Sequence, residues 1–327
     1  MTLNRLLLVI VDPEKDPGYV IERARNIALK SGAEIELFAS CFAEHLAGGR
    51  FFESRHLVRA REAAVAEATD KLETLAHPLR EAGLNVSTHA CWARPGHEVI
   101  GQRVAERNAD LVIGDCEFHT AISRAIFSYE DWQLIRTCPS SVLLVKRRSL
   151  TESEPVIWAA VDPMQQREKP ESLDRQILTV AQDLAKTLGG TLDVVHTYDP
   201  AAAVAAAAGP AVMPAMLPAE EIAETMRKEH ERHLFALTDS FGIDRERVHN
   251  LSGSARQALP TAVIRNNTDL LVMGAVARTG LDKLMFGSSA EKLLDHVPCD
   301  ILVVKPDEVI EALKGKEPQG AYARFVV

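Results

Sequence analysis

Apolar positions along this chain alternate between short unbroken runs and longer stretches in which they recur every three or four residues. The first run, Leu6 to Val11, ends at Asp12-Pro13. A leucine and β-branched run stopped by Asp-Pro predicts a strand buried on both faces. Val20, Ile21, Ala24, Ile27 and Ala28 then share one face at helical spacing. Further strands are predicted over Glu34–Ser40, Val86–Ala90, Asp110–Ile113 and Ser141–Lys146, with helices over Arg59–Glu81, Glu98–Arg107 and Asp131–Arg136. Strands alternating with helices predict a parallel sheet covered by helices on both sides.

The second half writes the same unit again. Val156-Ile-Trp-Ala-Ala-Val-Asp162-Pro163 matches the first strand and its Asp-Pro, 150 positions later. Leu173, Ile177, Val180, Ala181, Leu184 and Leu188 form a helical stripe, and Leu192–His196 a second strand. Ile301-Leu-Val-Val-Lys305 echoes Val142-Leu-Leu-Val-Lys146. Several matches in one order indicate duplication. The boundary falls in the polar stretch Arg147 to Glu154, suited to a linker. The expected division is therefore a domain at 1–147, a second at 154–306, and a C-terminal tail at 307–327.

Composition narrows the class without changing this picture. The chain has 327 residues, 46% apolar and 25% charged, the mixture of an ordinary globular protein with about two domains. A net charge of −9 with no basic block argues against a nucleic-acid partner. The five cysteines (Cys41, Cys91, Cys116, Cys138, Cys299) share no CxxC spacing and read as reduced thiols. Leu6–Val11 is too short for a signal peptide or a membrane span, so a cytoplasmic location is expected.

Met273 to Ser289, MGAVARTGLDKLMFGSS, follows the apolar run Asp269-Leu-Leu-Val and precedes Ala-Glu-Lys-Leu-Leu, so it reads as strand, glycine-punctuated loop and helix start. Glycines let backbone amides approach an anion, and a helix N-terminus favours negative charge. Gly274 followed by Gly287-Ser288 is the spacing of the universal stress protein phosphate loop, with Ala277 where that family's middle glycine stands. The whole chain resembles a tandem member of this family and is most similar to its E group. The likeness runs on through MGAVARTGLDKLMFGSSAEKLLDHVPCDILVVKPD in the second half and AIFSYEDWQLIRTCPSSVLLVK in the first.

The resemblance implies an α/β fold of two tandem doubly wound domains, each a five-stranded parallel sheet in the order 3-2-1-4-5 flanked by helices. Ligands of such sheets sit at the carboxyl ends of the strands, where strand order reverses. Asp12 and Asp162, which end the first strands, would border that crevice. In nucleotide-binding members the resemblance implies ATP or AMP, with Asp162 near the base and ribose, and Thr197 meeting the base through its backbone. Met273, Gly274, Ala277, Gly287, Ser288 and Ser289 would surround the phosphates, and Arg278 would add a charge-assisted contact. If the middle position needs a positive φ, Ala277 there costs on the order of 1 kcal/mol. Against nucleotide binding stands the bland reading, a loop kept for its tight turn and helix packing.

The corresponding first-half loop, Gly114-Asp-Cys-Glu-Phe-His-Thr, carries Asp115 and Glu117, which would repel a phosphate. Cys116 and His119 supply two metal-ligand types, short of a complete site. Residues 41 to 57 and 198 to 218 are long apolar connections beside the crevice, the second interrupted by Pro210, Pro214 and Pro218. They read equally as lids over an apolar, lipid-like ligand or a partner-binding surface, or as loosely packed insertions. No GxSxG, HExxH or Walker motif appears, Ser254 reads as a helix cap, and His97 as a helix-start residue. The expected role is a non-enzymatic stress-response protein that works by binding. Pairing of the two halves through their last strands, a homodimer, and a small apolar ligand stay open as partners.

Overall fold

The computed structural model describes residues 5–12, 14–46, 55–94, 96–115, 118–119, 124–125, 129–146, 154–164, 172–208, 218–275 and 296–314. The chain divides into two compact units: Met1–Phe118 with Ile126–Ser149 and Asp307–Val327, and His119–Ala125 with Leu150–Pro306.

The first unit runs β1 (Leu6–Ile10), α1 (Gly18–Ser31), β2 (Glu34–Ser40), α2 (Arg55–Glu81), β3 (Val86–Cys91), α3 (Gly96–Arg107) and β4 (Leu111–Asp115). After the two-residue strands β5 (Phe118–His119) and β6 (Arg124–Ala125), which from His119 on are counted with the second unit, the first unit resumes with α4 (Tyr129–Thr137) and β7 (Ser141–Val145). Its sheet has the order β3-β2-β1-β4-β7, every pair parallel. Both faces of β1, β4 and β7 are covered, so their sequences are continuous apolar runs and not alternating ones.

The second unit repeats the plan with β8 (Val156–Ala160), α5 (Ser172–Leu188), β9 (Thr191–Tyr198), α6 (Pro200–Ala208), α7 (Ala219–Asp239), β10 (Val248–Ser252), α8 (Ala255–Arg265), β11 (Leu270–Gly274) and β12 (Asp300–Val304). Its order is β10-β9-β8-β11-β12, again parallel. Both units thus show the 3-2-1-4-5 order expected of the family. Helix α9 (Asp307–Lys314) follows β12 in sequence and is counted with the first unit.

Right-handed crossovers explain which helix covers which face. Connections running outward from the central strand place α1 and α2, or α5 and α7, on one side. The return connections place α3 and α4, or α8, on the other, and α3 packs against α4 accordingly. The duplication extends to single hydrogen bonds. Asp110 accepts from the Arg5 backbone N–H at 2.9 Å, and Asp269 accepts from that of Val156 at 2.9 Å. Val11 N–H donates to Phe38 O at 2.8 Å, and Val161 N–H to Val195 O at 3.0 Å. Each β2-type strand also carries an anion held by residues further along its own unit, on α3 in the first and on or just before β10 in the second. Glu36, 1% exposed, takes Arg103 at 2.5 Å and Arg107 at 2.8 Å, while Asp193 takes His249 at 2.8 Å and Arg247 at 3.3 Å.

Ser254 does stand at the N-cap of α8, but its hydroxyl bonds the Gln257 side chain at 3.1 Å and caps no backbone N–H. The side-chain capping expected from sequence is corrected on that point. The hydroxyl proton goes to Gln257 Oε1, and the rotamer that donates it leaves the serine oxygen accepting from no backbone N–H of the helix start. His97 lies in the first turn of α3, as expected.

Candidate functional site

Strand order reverses at β8, which has β9 on one side and β11 on the other. Everything that leaves the carboxyl ends of these three strands converges there. From β8 the chain passes through Val161 into the turn Asp162-Pro163. The Asp162 backbone N–H donates to Asp174 Oδ1 at 3.1 Å, and the Asp162 carboxylate accepts from Met164 N–H at 3.3 Å. Asp174 lies in the first turn of α5 and is 6% exposed, so the turn is fastened to a helix start whose dipole favours a carboxylate. The Asp162 carboxylate itself is 36% exposed. A rigid backbone presenting a half-open anion is a preorganised hydrogen-bond acceptor.

From β9 come His196, Thr197 and Tyr198. Thr197 is half-buried and registers with Leu251 of β10. Gly253 N–H donates to Tyr198 O at 2.8 Å with Gly253 at φ +120°, a conformation that extends the ladder one step beyond β10 and suits glycine. Met273 and Gly274 end β11, and Ala275 N–H continues to Val304 O at 2.9 Å. A Cβ placed on Gly274 would lie 2.9 Å from both Ile177 Cδ1 and Leu173 Cδ2 of α5. The first glycine of the motif therefore lets α5 approach the sheet, whatever else the loop does. Asp162, Thr197, Met273 and Gly274 are thus gathered at the ends of adjacent strands. Ala277, Arg278, Gly287, Ser288 and Ser289 lie outside the described residues.

The most buried polar side chain at this crevice was not singled out from the sequence. His196 is 2% exposed; its Nδ1 is 3.0 Å from Val161 O and 3.8 Å from Asp162 Oδ1. Its Nε2 is 2.7 Å from Nδ1 of His230 on α7, with ring centroids 5.0 Å apart, and Tyr198 leans on His230 at 5.4 Å. Burial, with the neighbouring His196 second, pushes the His230 imidazole below its ordinary pKa. The available signal was a polar residue inside the apolar run Leu192-Asp-Val-Val-His196. Its partner lies 34 residues further on, past α6 and halfway along α7, which no local pattern reveals.

The first unit closes its crevice differently. The Asp12 carboxylate accepts from Glu14 N–H at 3.0 Å and pairs with Lys15 at 3.4 Å. The matching Val11–Phe38 and Val161–Val195 bonds put Ala39 where β9 has His196, so this half lacks the imidazole pair. Beyond β2 and β3, Phe42 packs on Trp92 at 5.2 Å, with Arg94 over Phe42 at 5.3 Å and Arg61 over Trp92 at 5.9 Å. Burial pushes the Cys91 thiol up to about 11 and raises Cys41 too, so both are poor nucleophiles at neutral pH. Cys116 and the His119 side chain, the weak metal candidates, lie outside the described residues.

The universal stress protein family model matches this chain twice, over residues 4–146 and 168–305. The chain belongs to the universal stress protein family. It is 26% identical over 309 residues to universal stress protein E of Salmonella typhi, covering 94% of this chain and 96% of that one. With its Photorhabdus laumondii counterpart it shares 27% over 303 residues, 92% of this chain and 95% of the other. A crystal structure of a functionally unknown Pseudomonas aeruginosa protein superposes with a TM-score of 0.73 at 26% identity, covering 96% of each chain. In this universal stress protein, both repeats keep the family architecture. Among the described residues, no helix is long and apolar enough to cross a membrane.

Proposed function

We propose that this universal stress protein acts in the cytoplasm by reversible binding of a small molecule in the crevice of its second unit, without turnover. The observation that carries this reading is the contrast between the two aspartates. Asp162 is half-open on a turn fastened by Asp174, whereas Asp12 already holds Lys15. An acceptor kept rigid and, among the described residues, without a lysine or arginine partner suits ribose or similar hydroxyls.

An adenine nucleotide, ATP or AMP, is the ligand class that the family resemblance implies. Asp162 and the Thr197 backbone would take the nucleoside; Met273, Gly274, Ala277, Arg278, Gly287, Ser288 and Ser289 would line the phosphates. Titration calorimetry with ATP and with AMP tests this. Saturable binding of one ligand per chain is expected, lost in Gly287→Val and weakened about tenfold or more in Asp162→Ala, the equivalent of about 1.4 kcal/mol. No heat at millimolar nucleotide, with the protein folded, sinks the nucleotide reading. Phosphate release above background that vanishes in Asp162→Asn would replace binding with hydrolysis.

A second reading has its own observation. Helix α6 carries only alanine and valine after Pro200 and lies against α7 next to the end of β9. An apolar, lipid-like ligand beneath it would be retained by the native protein. Native mass spectrometry detecting no such adduct counts against that reading.

A further inference from the structure

The imidazole pair under α7 is absorbed by neither reading. Its hydrogen-bond valence is restrictive. His196 Nδ1 faces the Val161 carbonyl at 3.0 Å, which only accepts, so Nδ1 carries a proton. Between the rings, at 2.7 Å, only one of the facing nitrogens can be protonated. The pair thus exists neutral, with His230 donating to His196, or with one extra proton, with either ring donating to the other. A second extra proton puts N–H against N–H and two like charges on touching rings.

We propose that His196 and His230 form a proton-operated latch: up to one extra proton holds α7 on β9, and the second parts the rings and releases the helix. The surroundings are consistent with that count. Asp162, at 3.8 Å from His196 Nδ1, favours the first proton, and Asp174 stands behind it, bonded to the Asp162 backbone. On α7 the nearby charges are Glu229 and His233, the latter 3.2 Å from the Glu229 carboxylate. Arg227 is engaged by Glu224 at 2.8 Å and Glu231 at 2.6 Å. Tyr198 contributes a ring from β9, and Asn250 of β10 reaches the Arg227 carbonyl at 3.3 Å. Helix α6 carries no titratable group.

Burial, with the neighbouring His196 second, lowers the half-buried His230 below its ordinary value, so the second proton enters in acid. The latch is then closed at neutral pH and opens as pH falls, carrying the N-terminal part of α7 away from the end of β9.

The test is hydrogen exchange of α7 amides in the full chain, corrected for intrinsic rates, between about pH 7.5 and about pH 5. Opening is expected to rise about tenfold on acidification, the size of one lost hydrogen bond. His230→Asn keeps a donor where Nδ1 stands but cannot take the proton, so its α7 exchange is expected to be flat. Equal pH dependence in the two proteins overturns the proposal. Should the variant fail to fold, nitrogen-15 spectra of the wild-type rings decide. Protonated Nδ1 with bare Nε2 on His196 near about pH 8, and coupled titration of the two rings, support the latch. Independent titration, or a protonated His196 Nε2 at that pH, refutes it.

Discussion

Single residues show how packing and ligand chemistry write the same letters. Gly274 was legible as the opening glycine of a phosphate loop, yet its described surroundings are Leu173 and Ile177, whose terminal carbons a Cβ would meet at 2.9 Å. Those partners lie about a hundred positions upstream, beyond the reach of any local motif. Gly190 is the harsher case, because a Cβ there would stand 2.3 Å from the backbone oxygen of Pro155. Flexible side-chain ends yield more readily than a carbonyl that also receives the Thr191 N–H. Gly274→Ala is therefore expected to lower stability by about 1 kcal/mol and Gly190→Ala by about 2–3 kcal/mol. Urea unfolding of the two variants checks the ranking, and a larger loss in Gly274→Ala would contradict it.

At the level of elements, the apolar rhythm gave strand positions well, because a strand buried on both faces has little freedom in composition. Helix α2 begins at Arg55 where the pattern suggested Arg59, and it runs through Pro78 in its final turns. Beside the buried Leu72, Ala76 and Leu79, its contact with β3 includes a polar clamp the rhythm does not register. Glu73 holds Arg80 at 2.6 Å and Thr88 of β3, and these hydrogen bonds lower its carboxyl pKa to about 2. A carboxylate whose folded pKa is depressed contributes stability above its unfolded value near 4.5, and that contribution is lost as pH falls toward about 2. Exposure to water limits it to a fraction of 1 kcal/mol. Glu73→Gln should lower the melting temperature slightly at neutral pH, and the gap from the wild type should close on acidification. A constant gap across that window would argue against the clamp. His196 and His230 belong to the same lesson, since elements far apart in sequence place them in register.

For the whole molecule, the echoes Val142–Lys146 and Ile301–Lys305 made the duplication legible, and the family resemblance implied the sheet order. They did not show that both terminal lysines are 1% exposed, nor that residues 307–327 are counted with the first unit. Sequence order hides that last point, because α9 directly follows the last strand of the second repeat. Val309 of α9 is 5% exposed, so removing residues 307–327 uncovers apolar surface worth about 1–2 kcal/mol. Hydrogen exchange of the shortened chain should rise in β1 and β4 while β8 and β11 stay protected. A rise confined to the second unit would contradict the assignment. The repeats are accordingly not interchangeable beads on a string. A gene split at the linker would leave the first half-chain short of a helix and the second with a stray amphipathic end. Any fission, fusion or shuffling of these repeats has to carry that C-terminal segment along with the half it did not come from.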